Sequence, residues 1–249
     1  MARRHFLLGV LTGLALGAIL RQRRQTGVTQ PRLDRYYQQR ARIYNLTDYL
    51  YLGSFPRIEM RKKLIEMLDL QPGMRVLDMA CGAGANFPYI MEKIGPTGQI
   101  VGTDYSQEML DSAHTQFVLG RGWQNITLIQ ADAAEFRTEE PFDVVICTLG
   151  LAVIPRWEQA MQRAMDALKP GGVFGIADLK ESDRWYTLPL RFISDVMDVA
   201  IIADSTRRAW ERLETLGEDF RFVDLFHGYL YAATVRKPLT IKAYANGRG

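Results

Sequence analysis

From residue 75 onward, short apolar runs alternate with amphipathic stretches. Arg75–Met79, Gln99–Thr103, Ile126–Gln130, Phe142–Thr148 and Val173–Ala177 read as buried strands. Phe142–Thr148 has the apolar character of a parallel strand covered on both faces. Between them, Asn86–Ile94, Ser106–Leu119 and Arg156–Leu168 carry apolar residues at helical spacing, with Ser106 placed as an N-cap. Gly95-Pro96 and Lys169-Pro170-Gly171-Gly172 end two of these helices. Upstream, Leu33–Leu52 and Arg57–Leu70 read as helices separated by Pro56, and Gln71-Pro72-Gly73 reads as a turn. Downstream, Leu188–Leu216 reads as mostly helical. Phe220–Phe226 and Tyr229–Arg236 then form two strands around a tight His227-Gly228 turn. The alternation predicts an α/β fold with a doubly wound, seven-stranded sheet whose last strand is antiparallel.

The N-terminus follows a different pattern. Phe6–Leu20 is uncharged, with Arg3 and Arg4 before it and Arg21, Arg23 and Arg24 after it. About 17–20 apolar residues span a bilayer, so this segment is short, but flanking Arg can snorkel. A retained hydrophobic helix anchoring the chain competes with a cleaved signal peptide and with a twin-arginine export signal at Arg3-Arg4. The basic C-flank and the lack of a small-x-small site favour the anchor, and place the following domain on the cytoplasmic side. The division expected is residues 1–30 as anchor and basic linker, and residues 31–249 as the folded domain. Gly9, Gly13 and Gly17 share one helix face, which suits a homodimer contact. Glycine is also simply common in membrane helices.

The charge supports that division. The chain is +3 overall, and residues 1–35 hold seven Arg and one Asp, so the basic excess belongs to the tail. With no basic and aromatic stripe in the body, nucleic-acid binding is not expected. The two cysteines, Cys81 and Cys147, form neither a disulfide framework nor a metal cluster.

Candidate chemistry begins after the first strand. Gly82-Ala83-Gly84 allows a tight turn and close approach of backbone to a ligand. In a doubly wound sheet the ligand lies beyond the carboxyl ends of the strands. Asp104 ends the second strand, where a carboxylate accepts from two ribose hydroxyls. Alone, this pattern also suits a nicotinamide dinucleotide, making a dinucleotide-dependent oxidoreductase the first alternative. Against it, the third glycine of that fingerprint would fall at Phe87. A non-catalytic, anchored cofactor-binding protein is the second alternative.

Five motifs in order resemble those of class I S-adenosylmethionine-dependent methyltransferases, which have a Rossmann-like fold. They are Val76-Leu77-Asp78-x-Ala80-Cys81-Gly82-x-Gly84, Gly102-Thr103-Asp104-Tyr105-Ser106 with Met109, Gln130-Ala131-Asp132-Ala133, Phe142-Asp143-Val144-Val145 to Leu149, and Leu168-Lys169-Pro170-Gly171-Gly172. The resemblance implies S-adenosylmethionine as cofactor. It implies that Asp78, Ala80, Gly82 and Gly84 hold the methionine end, Asp104 with Tyr105 and Met109 the ribose, Asp132 with Ala133 the adenine, and Thr148 a position by the methionine. Ala80 stands where many relatives have glycine. Arg40-x-x-Tyr44, Asn86-x-Pro88-Tyr89, Thr148-Leu149-Gly150-Leu151 and Gly228-Tyr229-Leu230-Tyr231 resemble the quinone and phospholipid methyltransferase group, and this nominates Tyr44 as a cofactor contact.

Methyl transfer draws mainly on positioning, with a base needed only when the acceptor must lose a proton early. Candidates at the active edge are Asp178, Tyr186 and His227, with Trp185 beside an apolar acceptor pocket. The acceptor expected is a lipophilic small molecule or a lipid, met at the membrane through residues 6–20.

Overall fold

The computed structural model describes residues 28–33, 54–190 and 202–239, together with Gln22 and Arg35. The apolar segment at 6–20, the glycines at 9, 13 and 17, and Tyr44 lie outside the described residues, as does 191–201. Among the described residues, no helix is long and apolar enough to cross a membrane.

The strands are β1 (Arg75–Met79), β2 (Gln99–Asp104), β3 (Ile126–Gln130), β4 (Phe142–Thr148), β5 (Leu168–Leu179), β6 (Glu218–Leu225) and β7 (Leu230–Arg236). They form one sheet in the order β3-β2-β1-β4-β5-β7-β6. The first five strands pair in parallel, and β7 is antiparallel to both of its neighbours. This is the seven-stranded, doubly wound arrangement that the sequence predicts. The strand order reverses between β1 and β4, which places a ligand crevice beyond their carboxyl ends.

Alternation along the strands builds two cores. Leu77, Met79, Val145, Cys147, Phe174 and Ile176 face helix α4 (Trp157–Asp166), which contributes Ala160, Met161, Ala164 and Met165. Val76, Ile100, Val144 and Ile146 face the other way. There they meet α1 (Ser54–Met67) through Met60, Leu64 and Ile65, and α2 (Phe87–Ile94) through Phe87, Ile90 and Ile94. Gly175 of β5 has no room for a side chain, because an added Cβ would stand 2.7 Å from Leu68 Cδ2.

Three elements depart from the sequence reading. Helix α3 (Gln107–Ala113) is capped by Ser106, which accepts from the Met109 N–H as expected, but it continues as a π-helical turn over His114–Leu119. The Lys169–Gly172 segment does not precede the fifth strand; it belongs to it, with a register shift opposite Phe142–Val144. The reason is a partner far away in sequence. Gly171 donates to Lys237 O at 2.9 Å and Lys237 donates to Gly172 O at 2.8 Å, so the ladder extends through a stretch that reads locally as a loop. Finally, the helix expected over 188–216 is interrupted at residues 202–208. A 3-10 helix covers Trp185–Leu190 and α5 covers only Ala209–Glu214. Between them, the Asp204 carboxylate accepts from the Thr206 N–H at 3.1 Å and from its hydroxyl, a local turn that competes with helix.

Candidate active site

A cavity of about 310 Å³ opens where the strand order reverses. Its walls come from the carboxyl ends of β1 (Ala80–Ala83), β2 (Asp104–Met109), β3 (Gln130–Ala133) and β4 (Thr148–Gly150). Val153–Pro155, Arg61 of α1, Gln30 and Leu33 complete it. Gln30 and the buried Leu33 thus bring the segment at residues 30–33 against the site.

The glycine loop is held by the strand beside it. Asp104 Oδ2 accepts from the Gly82 N–H at 2.8 Å and Oδ1 accepts from the Ser106 N–H at 2.9 Å. Cys81 donates its N–H to Thr103 O at 2.9 Å. Gly82 has a φ of +55° and open space where a Cβ would stand, so ligand atoms can approach its backbone. Gly84 has another reason to be glycine. Its φ is +80°, and a Cβ would meet Phe87 at 2.7 Å and Phe117 at 2.8 Å. Ala80 has a φ of +55°, which explains why glycine suits that position in related motifs.

Beneath the loop lies a polar network that the sequence reading did not find. Asn86 Nδ2 donates to both Asp78 oxygens at 3.0 Å and to Thr148 Oγ1 at 2.9 Å. It ties the ends of β1 and β4 to the start of α2. Asp78 is fully buried and does not reach the cavity wall. Burial pushes its carboxyl up to about 7, against the opposing effects of Asn86 and the Arg61 charge. Burial likewise holds the Cys81 and Cys147 thiols well above their ordinary range, so both remain neutral wall and core residues.

A raised carboxyl binds its proton more tightly in the folded state. Its stabilising contribution is therefore fully present below about pH 4 and is lost as the pH rises through about 7. Asp78→Asn has no such charge to bury. Relative to the wild type, it is expected to gain stability between about pH 4 and pH 7, as read from urea midpoints across that range. A constant difference between the two proteins would contradict the buried, raised carboxyl.

At the β3 end, Asp132 Oδ1 accepts from the Ala134 N–H at 2.8 Å, and Oδ2 meets Arg156 at 2.7 Å. Arg156 also meets Glu135 at 2.7 Å. Asp132 therefore caps the turn after β3, and Asp132 and Ala133 both line the cavity.

Ala80, Gly82, Asp104, Tyr105, Met109, Asp132, Ala133 and Thr148 line one cavity, whereas Asp78 and Gly84 support it from behind. The three acceptor-side candidates stand elsewhere. Asp178 is buried, and its oxygens accept from the Ala152 N–H at 3.0 Å and the Leu179 N–H at 2.7 Å. It fixes the loop after β4 and does not line the cavity. Tyr186 and His227 face each other, with Oη 3.3 Å from Nδ1. Because β6 runs parallel to β5, His227 lies at the same sheet edge as the cavity, but it does not line it. Trp185 packs edge-on to Tyr186 and is 80% exposed.

Arg61 was also missed, although the sequence held a signal for it. Met60, Leu64, Ile65 and Leu68 form the buried stripe of α1, and a charged residue at 61 falls on that same stripe.

Residues 76–172 match the family profile described as a methyltransferase domain. A demethylmenaquinone methyltransferase of Lactobacillus johnsonii is 33% identical over 123 residues, 49% of this chain and 50% of that protein. Its counterpart in Staphylococcus aureus is 25% identical over 161 residues, 62% of this chain and 66% of that protein. The chain thus spans between half and two thirds of the length of these curated relatives. A SAM-dependent methyltransferase from Aquifex aeolicus shares the fold, with a TM-score of 0.56 and 21% identity over 72% of this chain and 92% of that one. The motif order, the sheet and the matched region agree: residues 76–172 match a methyltransferase domain, the chain shares the fold of S-adenosylmethionine-dependent methyltransferases, and it is similar to the demethylmenaquinone methyltransferases over about half its length.

Proposed function

We propose that the protein methylates a lipophilic small molecule or lipid, of quinone or phospholipid-headgroup type, at a membrane surface. The observation that carries this reading is the cavity at the β1–β4 switch point, together with the likeness to proteins named for a quinone substrate. The apolar segment 6–20 with its Arg flanks supports a tether, with the domain on the cytoplasmic side. Tethering raises the effective concentration of a membrane-dissolved acceptor.

The residues present fit the donor. The open space over Gly82 and the Asp104 carboxylate are features that an adenosine ribose and a methionine chain need. When bound, S-adenosylmethionine would supply a sulfonium methyl group for transfer to the acceptor, with S-adenosylhomocysteine as the leaving thioether. Asp104 would hold the ribose, Asp132 and Ala133 would border the adenine, and the Thr148–Gly150 turn would border the reacting end. Asp178 keeps that turn in place through the Ala152 N–H. Tyr186 and His227 pair at the same sheet edge outside the cavity wall, on the side assigned to the acceptor.

Membranes incubated with the protein and methyl-labelled S-adenosylmethionine are expected to yield label in the lipid extract. Label confined to the aqueous phase would overturn the lipophilic acceptor, and no transfer at all would favour a non-catalytic binding protein. Removing residues 1–24 should release the protein from membranes while keeping cofactor binding, since Gln30 and Leu33 remain.

A further inference from the structure

We propose that Arg61 binds the α-carboxylate of the cofactor's methionine end and makes the site selective for cofactors that retain that carboxylate. The proposal rests on the reading of this cavity as the S-adenosylmethionine site. Arg61 is only 7% exposed and lines the cavity. Its Nε is buried without a hydrogen-bond partner. A buried guanidinium N–H with no acceptor is a donor left unmade, and it favours a ligand that supplies one. Such a group is retained where a ligand completes it, and a carboxylate matches its fork with two parallel hydrogen bonds.

Position decides which part of the ligand it meets. Asp132 lies at the end of β3, Asp104 at the end of β2, and Asp78 at the end of β1, so adenine, ribose and methionine run in that order across the sheet. The Arg61 charge acts on Asp78, which places it at the methionine end. Asp78 does not serve as its partner. Both oxygens of Asp78 are taken by Asn86, and among the described residues no ion pair joins Asp78 to Arg61. The other acidic side chain in the cavity near the loop, Asp104, accepts from the Gly82 and Ser106 amides, and among the described residues no ion pair joins it to Arg61.

The test uses two thioether ligands that differ only in the carboxylate: S-adenosylhomocysteine and its decarboxylated counterpart, S-adenosyl-3-thiopropylamine. By calorimetry, the wild-type protein should bind the first about 30-fold or more tightly than the second. In Arg61→Met this ratio should fall to within about threefold, through weaker binding of S-adenosylhomocysteine alone. Arg61→Lys should restore part of it. A variant that keeps the full ratio, or that weakens both ligands equally, would overturn the proposal. A wild-type protein that binds neither ligand would instead overturn the reading of the cavity.

Discussion

Asp104→Ala should weaken S-adenosylmethionine binding by about 100-fold or more, the loss of two hydrogen bonds to a charged group plus those to the ribose. The carboxylate has two tasks. It would accept from the ligand's hydroxyls, and it already accepts from the Gly82 N–H at 2.8 Å and the Ser106 N–H at 2.9 Å. Alanine removes the ligand contact and frees the glycine loop from β2 at once. Asp104→Asn keeps one acceptor oxygen and should lose less. Titration calorimetry with S-adenosylmethionine reads both variants. Binding within about threefold of the wild type in Asp104→Ala would remove Asp104 from the site.

Phe87→Ala is expected to destabilise the domain by about 3–5 kcal/mol, the usual range for truncating a buried aromatic ring. Phe87 is fully buried and meets Phe117 edge-on, with ring centroids 5.4 Å apart. Phe117 in turn stacks on Trp123 at 5.5 Å. The ring also fills the space beside Gly84 and Gly102, where added Cβ atoms would stand 2.7 and 2.8 Å from it. Two backbones close on one ring, so the space left by alanine cannot collapse easily. Urea unfolding measures the loss, and a change below about 1 kcal/mol would mean that the loop does not depend on this ring. Phe87 is also the residue that argues against a dinucleotide fingerprint, and its burial gives that argument a physical form: a phenyl ring occupies the position where close helix–strand packing would otherwise use glycine.

The strands were legible because each is a short apolar run bounded by turn residues, and parallel strands buried on both faces leave that trace. The glycine loop and Asp104 were legible from their order along the chain. What was not legible depends on contacts between distant positions. Lys169–Gly172 reads as a loop until Lys237, 65 or more residues away, pairs with it. Asn86 reads as a helix start until the fold brings it against Thr148, 62 residues on. Asp178 reads as an active-edge acid, yet two backbone N–H groups claim its oxygens. Tyr186 and His227 do meet across 41 residues, but at a distance from the cavity that spacing along the chain does not encode. Local pattern specifies elements; which polar group ends up beside which is set by the register of the whole sheet.

The position of β7 bears on how the molecule is made. Among the described residues β6 pairs only with β7, and β7 inserts between β6 and β5, although it follows both in sequence. On the ribosome, β1 to β5 can assemble while β5 presents a bare edge, and β6 emerges with nothing to pair with. Such long-range closure is slow and leaves an edge open to other chains. Among the described strands β7 closes the sheet, so the interval between synthesis of β5 and synthesis of β7 is when these edges most need a chaperone.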